Sequence, residues 1–248
     1  MKKLIQVFTI AAIAALFTTA TTFAQSSGNF TASVDNTVCS INSMNGSLND
    51  MFTQGSGGYL EAKIKLPNSS PGLLVTPSLV TGMYTNTATS GMSQTAAIVV
   101  VVTDAQTGYP TVTLTPNQTC VDTSPGGTST CPNVLDPYCK CGVVYDERFQ
   151  QVDSVITFIP GIVQLTLSTM SAHSFNFTRG NVPGGLHTIR LDWYFGCDDG
   201  TGQLRTAQCK NPMAFVPDSA AACAGPGTLT VTQVQQFQHS SQIGTTGP

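Results

Sequence analysis

Residues 94–104 read Gln-Thr-Ala-Ala-Ile-Val-Val-Val-Val-Thr-Asp. The apolar run Ala96-Ala-Ile-Val-Val-Val-Val102 is far shorter than the roughly 20 residues a helix needs to cross a bilayer. Its β-branched side chains suit the pleated backbone of a strand. An unbroken apolar run without alternation predicts a strand buried on both faces. The fold must therefore supply cover on each side of it.

The flanking sequence supplies further strands. In residues 58–66, Leu60, Ala62, Ile64 and Leu66 alternate with Glu61, Lys63 and Lys65, the pattern of a half-buried strand with one wet face. Residues 73–85 are extended but interrupted by Pro77 and Gly82. A turn over 104–108 leads to a short strand at 111–115, and residues 142–157 form a longer extended stretch. Val163, Leu165 and Leu167 alternate with polar residues, as do His173, Phe175 and Phe177. Pro160-Gly161 and Pro183-Gly-Gly185 mark turns. His187, Ile189, Leu191, Trp193 and Phe195 then share one strand face, and residues 228–237 supply a last strand. Ser219-Ala-Ala-Ala222 could make a helical turn at most. Many short strands without alternating helices predict an all-β antiparallel sandwich.

The closing order is a glycine-rich turn, a long alternating strand with the single Trp, a long loop and a terminal Leu229-Thr-Val-Thr232 strand. Over residues 183–237 this pattern is similar to jelly-roll domains of secreted adhesion and binding proteins. The resemblance implies a jelly-roll-like sandwich, to which the cysteine placement adds the expectation of two long disulfide-stapled loops.

Residues 1–24 read as a secretory signal. Lys2 and Lys3 precede an apolar stretch from Leu4 to Phe17, and Thr22-Phe23-Ala24 offers small residues for cleavage before Gln25. Removing that segment takes two of the ten basic residues. Eight then stand against thirteen acidic, a net charge of −5 in place of −3. The charges are scattered, so there is no footprint for nucleic acid and no polybasic run for an anionic membrane. No second apolar segment reaches spanning length. The expected organisation is a signal at 1–24, one sandwich domain at 25–237 and a C-terminal tail at 238–248. The expected location is outside the cell, at its surface or in a periplasm.

The cysteines are Cys39, Cys120, Cys131, Cys139, Cys141, Cys197, Cys209 and Cys223. An even count behind an export signal favours disulfides over metal. Four lie within 116–142 and three within 196–225, two polar stretches read as loops. If all pair, the odd number in the second stretch forces a bridge to Cys39 or to the first stretch. Proximity suggests Cys120–Cys131 and Cys197–Cys209 as local staples, with Cys39, Cys139, Cys141 and Cys223 in longer links. Cys139-Lys-Cys141 with His173 or His187 lacks the C-x-x-C spacing common in zinc sites. Both histidines sit on apolar-facing registers and read as core or boundary residues.

Chemistry-bearing motifs are scarce. There is no G-x-S-x-G, no H-E-x-x-H and no phosphate-binding loop. Gly200-Thr-Gly202 reads as a turn. Glu61 and Glu147 are the only glutamates. Asp146 and Glu147 are adjacent and point to opposite faces of a strand, so Tyr145-Asp-Glu-Arg148 reads as a solvated strand with a cross-strand ion pair. A glycosidase pair would need Glu147 with Asp192 or Asp153. Asp198-Asp199-Gly200 could offer oxygens to calcium or simply form a turn. Trp193 belongs to the core face. Tyr138 and Tyr194 are the better ligand-binding aromatics, alongside Asp198 and Asp199. No cofactor is implied.

Three functions fit these features. The first is a secreted, non-catalytic sandwich with an adhesive, structural or ligand-binding role, its partner a glycan or another surface protein. The second is a glycan-active enzyme using Glu147 and an aspartate. The third is a subunit of a homo-oligomer or filament.

Overall fold

The computed structural model describes residues 29–41, 48–50, 57–68, 71–87, 93–131, 136–151, 165–198, 200–209 and 218–234. The signal segment at 1–24 and the tail at 238–248 lie outside them. The strands are β1 (Phe30–Asp35), β2 (Cys39–Ile41), β3 (Leu48–Asp50), β4 (Gly58–Leu66), β5 (Gly72–Thr87), β6 (Ser93–Gln106), β7 (Val112–Thr113), β8 (Thr119–Asp122), β9 (Cys139–Gln151), β10 (Leu165–Ser174), β11 (Phe177–Arg179), β12 (Gly185–Asp198) and β13 (Ser219–Val234). Among the described residues a single 3-10 turn spans Thr206–Gln208.

Two antiparallel sheets face each other. The first runs β1-β13-β5-β10, with β11 continuing alongside β5; the second runs β4-β12-β6-β9-β8, with β7 beside β6. Setting aside the short β2, β3, β7, β8 and β11, the pairing is nested. The outermost strands in sequence, β1 and β13, pair; so do β4 with β12, β5 with β10, and β6 with β9. Successive pairs alternate between the sheets.

The inner faces follow the alternation read from the sequence. Leu60, Ala62, Ile64 and Leu66 of β4 meet Ile189, Leu191, Trp193 and Phe195 of β12, and Ala96, Ile98, Val100 and Val102 of β6, in one buried cluster. The first sheet contributes Leu73, Val75, Leu79, Met83, Leu229 and Val231. Burying each large apolar side chain stabilises the fold by about 1.5–3 kcal/mol. Trp193 requires a glycine beside it: a Cβ on Gly58 would lie 2.3 Å from the indole.

Pro77 sits inside β5 without breaking it. Its carbonyl accepts the Phe175 amide on the β10–β11 side, so its missing N–H faces that side too. The break between β10 and β11 falls there, with Ser174 opposite Ser78 and Phe177 opposite Val75. A proline is tolerated where the ladder bond it cannot make is absent. Residues 219–222, expected to reach a helical turn at most, are the start of β13 and pair with β5 from Asn86 to Met83. Sheet pairing overrides the weak helical preference of alanine.

Polar groups also join the sheets. Asp104, read from the sequence as the start of a turn, is buried within β6. It accepts from Arg179 of β11 and lies 2.9 Å from Nδ1 of buried His187. Nε2 of His187 donates to the Pro183 carbonyl at 2.8 Å, so this core histidine has both ring nitrogens engaged. At the other side, a bulge in β9 leaves Tyr145 unmatched opposite Ile98 and Val99. Tyr145 points inward, where its hydroxyl accepts the Leu79 amide at 3.1 Å and donates to the His173 carbonyl at 2.6 Å, and the bulge breaks the alternation after it. The bulge turns Asp146 toward the first sheet, where it accepts from Thr81. Asp146 is therefore an inter-sheet acceptor, in place of the solvated residue expected. Four residues on, Gln150 accepts from Thr85.

Burial pushes the Tyr145 phenol up to about 12 from its ordinary 10.0. The folded state thus favours the neutral phenol. Its contribution to stability is complete below pH 10.0, and is lost as pH rises from there through about 12. Tyr145→Phe is expected to lower unfolding free energy by about 1–3 kcal/mol at neutral pH, because the Leu79 amide and His173 carbonyl lose their partner. It should also flatten the alkaline decline, as measured by urea unfolding across that range.

Candidate functional site

The outer face of the second sheet is where cover, loops and polar side chains meet. Ala97 and Val99 of β6 point outward, away from the core, yet both are fully buried. Their cover is a lobe built, among the described residues, from 116–131, 136–142, 196–198 and 200–209, with Val121 and Leu204 over Gly196, the β12 partner of Ala97. Within it β8 pairs with β9, and Asp122 at the end of β8 takes the strand bridge to Arg205, which in turn bridges Cys197 of β12. The second sheet therefore curls over and closes on itself at this end. Val121 and Leu204 press on Gly196 so closely that a Cβ there would meet them at about 3 Å.

Three of the four disulfides hold this lobe: Cys120–Cys141, Cys131–Cys139 and Cys197–Cys209. The last matches the staple expected from spacing. Cys120–Cys131 does not form, because Cys120 and Cys141 are direct partners across the β8–β9 pair. The remaining bridge, Cys39–Cys223, meets the parity requirement by leaving the second stretch for the N-terminal arm. It lies on the opposite outer face, where β2 and β3 cover Tyr84, Ala221 and Cys223. Cys139 and Cys141 are both in disulfides, which removes them as metal ligands. The cysteine-bearing stretches are also less loop-like than they read. Cys120, Cys139, Cys141, Cys197 and Cys223 all lie in strands. The four bridges mark an oxidising, extracellular-type environment.

Aspartates close the lobe's turns. Asp122 is buried and accepts the Ser124 and Ser129 amides at 2.8 and 3.0 Å. Asp198 accepts the amides of Gly200, Thr201 and Gly202 within 3.1 Å, and the Thr201 hydroxyl at 3.0 Å. Its carboxylate oxygens face donors from its own loop, the arrangement of a turn-forming aspartate. Asp199 lies outside the described residues. Among the described residues, no group of three or more His, Cys, Asp or Glu is placed to hold a metal ion. The two stretches are stitched together by Gln203, which donates to the Ser129 carbonyl at 2.9 Å, and by the Asp122 amide, which donates to the Leu204 carbonyl at 3.0 Å; Arg205 braces its own stretch by donating to Gln203 and Thr201. Tyr138 projects from this lobe, 46% exposed, its backbone fixed by Asp136 and Thr123.

The lobe gives out along the sheet. Val99 is buried, but the next outward residue, Val101, is only partly buried. Tyr194 is the β12 partner of Val99, and Asp192 is the partner of Val101. The step therefore runs between Tyr194 and Asp192. At its foot Asp192 takes a forked pair of bonds from Arg190 at 2.7 to 2.9 Å. Arg190 lies 4.0 Å over the ring of Tyr59, the β4 partner of Asp192. Tyr59 is 58% exposed. Hydrogen bonding to Asp192 raises the Arg190 pKa, against a smaller opposing effect of burial. Burial, then the Asp192 charge, pushes the Tyr194 phenol up to about 12.

Of the residues singled out from sequence, Tyr194 and Asp192 share this step. Tyr138 and Asp198 belong to the lobe, joined to one another only through its internal bonds. Glu147 points outward from β9 opposite Ala97, four residues along β6 from the partner of Asp192. At about 3.3 Å per residue and 4.8 Å per strand, the two Cα atoms are roughly 16 Å apart. Glycosidase carboxylates stand about 5–10 Å apart. Asp153, the other carboxylate considered with Glu147, lies outside the described residues. Tyr59 and Arg190 were not singled out, since only cross-strand register brings them together. Neither models of known protein families nor curated proteins give a match to this chain.

Replacing Asp122 with alanine leaves the buried Ser124 amide unpaired and takes one of two acceptors from the Ser129 amide, which keeps Ser124 Oγ, at a cost of about 1–3 kcal/mol. The loss is expected to be local. Limited proteolysis of the variant should cut within 123–131 well before the sheets unfold, where the wild-type lobe resists.

Proposed function

We propose that this chain is a secreted, non-catalytic binding protein, with its ligand site at the step where the disulfide-held lobe meets the open face of the second sheet. The nested strand pairing reads as a jelly roll, the eight-stranded double-sheet architecture shared by many binding domains. The basic, apolar and small-residue order of residues 1–24 agrees with export, as do the four bridges.

The observation that carries the reading is the change from buried Val99 to partly buried Val101, beside Tyr194, Asp192, Arg190 and Tyr59. A wall of cross-linked loop stands over a floor that carries aromatic faces and a prearranged Arg–Asp fork. The wall needs little ordering on binding, because its turns are closed by disulfides and by the carboxylates of Asp122 and Asp198. The floor offers ring stacking and paired hydrogen-bond groups with balanced charge. That chemistry suits a hydroxyl-rich, weakly charged ligand, and we read the ligand as an extracellular glycan, displayed free or on a surface protein.

Affinity electrophoresis through a panel of soluble neutral polysaccharides tests this. Retardation by at least one is expected, and Tyr59→Ala and Asp192→Asn should each weaken it by about tenfold or more, as loss of a central contact does. Thermal unfolding of Tyr59→Ala should be nearly unchanged, since Tyr59 is exposed; Asp192→Asn keeps the side chain's shape and acceptor oxygen for the part-buried Arg190 bond and should lower the unfolding temperature only modestly. Retardation that both variants leave intact would move the site elsewhere. Sugar release that Glu147→Gln abolishes would sink the non-catalytic reading.

A further inference from the structure

The outer face of the first sheet differs from that of the second. The second sheet turns Glu61, Lys63, Lys65, Glu147, Arg190 and Asp192 outward. In the first sheet, Asp35, His173 and Arg179 are the only residues able to carry charge across β1, β13, β5, β10 and β11. None of the three is on the outer face. Arg179 reaches inward to Asp104, His173 lies against Tyr145, and Asp35 accepts the Thr37 amide. What remains outward is ruled by register. Val34, Thr228, Ser78 and Ser174 form one row across the four strands; Ala32, Thr230 and Thr76 lie in the next. Phe30 and Val34 on the edge strand are 63% and 60% exposed.

We infer that this uncharged face is the docking surface for a second copy of the same chain, packed sheet on sheet about a two-fold axis. Three observations select that occupant. The first is shape. A four-stranded sheet is twisted, by roughly 20–25° per strand, and the surface that fits it is another twisted sheet stacked at about −30°. The inner side of this same sheet already packs on a second sheet. The second is charge. The chain is net negative, at −3, so two copies repel unless they meet through a face that carries none of the charge. Joining the first sheets back to back keeps every outward charge of the second sheets on the far sides of the pair. The third is area. Beyond the β2–β3 cover, the open face spans about 19 Å across four strands and about 33 Å from Gly72 to Gly82. Side-chain relief raises its accessible area above the flat value of about 600 Å², into the region of the roughly 800 Å² per partner that stable interfaces bury. A face that matches itself gives a closed, isologous dimer.

Sedimentation velocity over a concentration series of the disulfide-bonded protein provides the test. A mass twice that of the monomer is expected, falling toward the monomer on dilution. Thr76→Lys and Thr230→Lys place like charges across the two-fold and should each raise the dissociation constant at least tenfold. Leu186→Lys adds the same charge on the outer face of the second sheet and should change it less than twofold. Circular dichroism identifies any variant that fails to fold; the wild-type series is decisive by itself. A monomer at every concentration up to about 1 mM, the weak limit of specific association, overturns the inference. So does a dimer that Leu186→Lys weakens as much as Thr76→Lys. Loss of polysaccharide retardation in Thr76→Lys, with the wild type monomeric, would assign the face to a glycan instead.

Discussion

Everything in this fold answers to the burial of β6 on both sides. Its even-numbered residues from Ala96 to Val102 complete the core between the sheets. Its outward Ala97 and Val99 are just as buried, although one layer of core can cover only one face of a strand. Alanine and valine left in water at the centre of a sheet would be an open edge-free apolar strip, a surface that monomers seldom expose. The lobe over this strip is therefore part of the solution to the folding problem and not an ornament on a finished sandwich. The same logic holds on the other side of the molecule, where β2 and β3 cover Tyr84 and Ala221.

The disulfides follow from this layering. A sandwich of this size buries enough apolar surface to fold without them. The lobe is different: it is rich in Gly, Ser, Thr and Pro and buries few side chains of its own. Bridges at Cys120–Cys141, Cys131–Cys139 and Cys197–Cys209 offset the entropy of ordering such a chain. Asp122 and Asp198 complete its internal bonding. The result is a rigid wall that ends in a step, with the Tyr59, Arg190 and Asp192 cluster on the exposed part of the same sheet. The two outer faces of the sandwich differ in charge, and the proposed ligand site and the proposed docking face rest on that difference.

The strands were legible wherever a single period held. The alternation of β4 and β12 and the apolar run of β6 translate directly into buried and exposed faces, since side chains on a strand alternate strictly. What could not be read depends on pairing between distant residues. Ser219–Ala222 looks helical until β5 lies beside it. Asp146 looks solvated until a one-residue bulge at Tyr145 reverses its direction. Cys120 is closer in sequence to Cys131, but register sets it against Cys141. The candidate site has the same character. Tyr194 and Asp192 are visible as polar positions on one strand, whereas Tyr59 joins them only through the β4–β12 register. Parity alone, by contrast, was enough to send one bridge out of the 196–225 stretch.

The two-sided burial of β6 can be tested at neighbouring outward positions that differ only in whether the lobe covers them. Asparagine at position 99 would place an unpaired amide beneath the lobe; asparagine at position 101 would sit at its open margin. The backbone preference lost is the same in both. Urea unfolding of Val99→Asn and Val101→Asn therefore isolates the cover. The expected result is a loss at position 99 that exceeds the loss at 101 by about 2 kcal/mol or more, the cost of burying an unsatisfied polar group. Equal losses at the two positions would contradict the account, because they would mean that the lobe does not bury the outer face of β6.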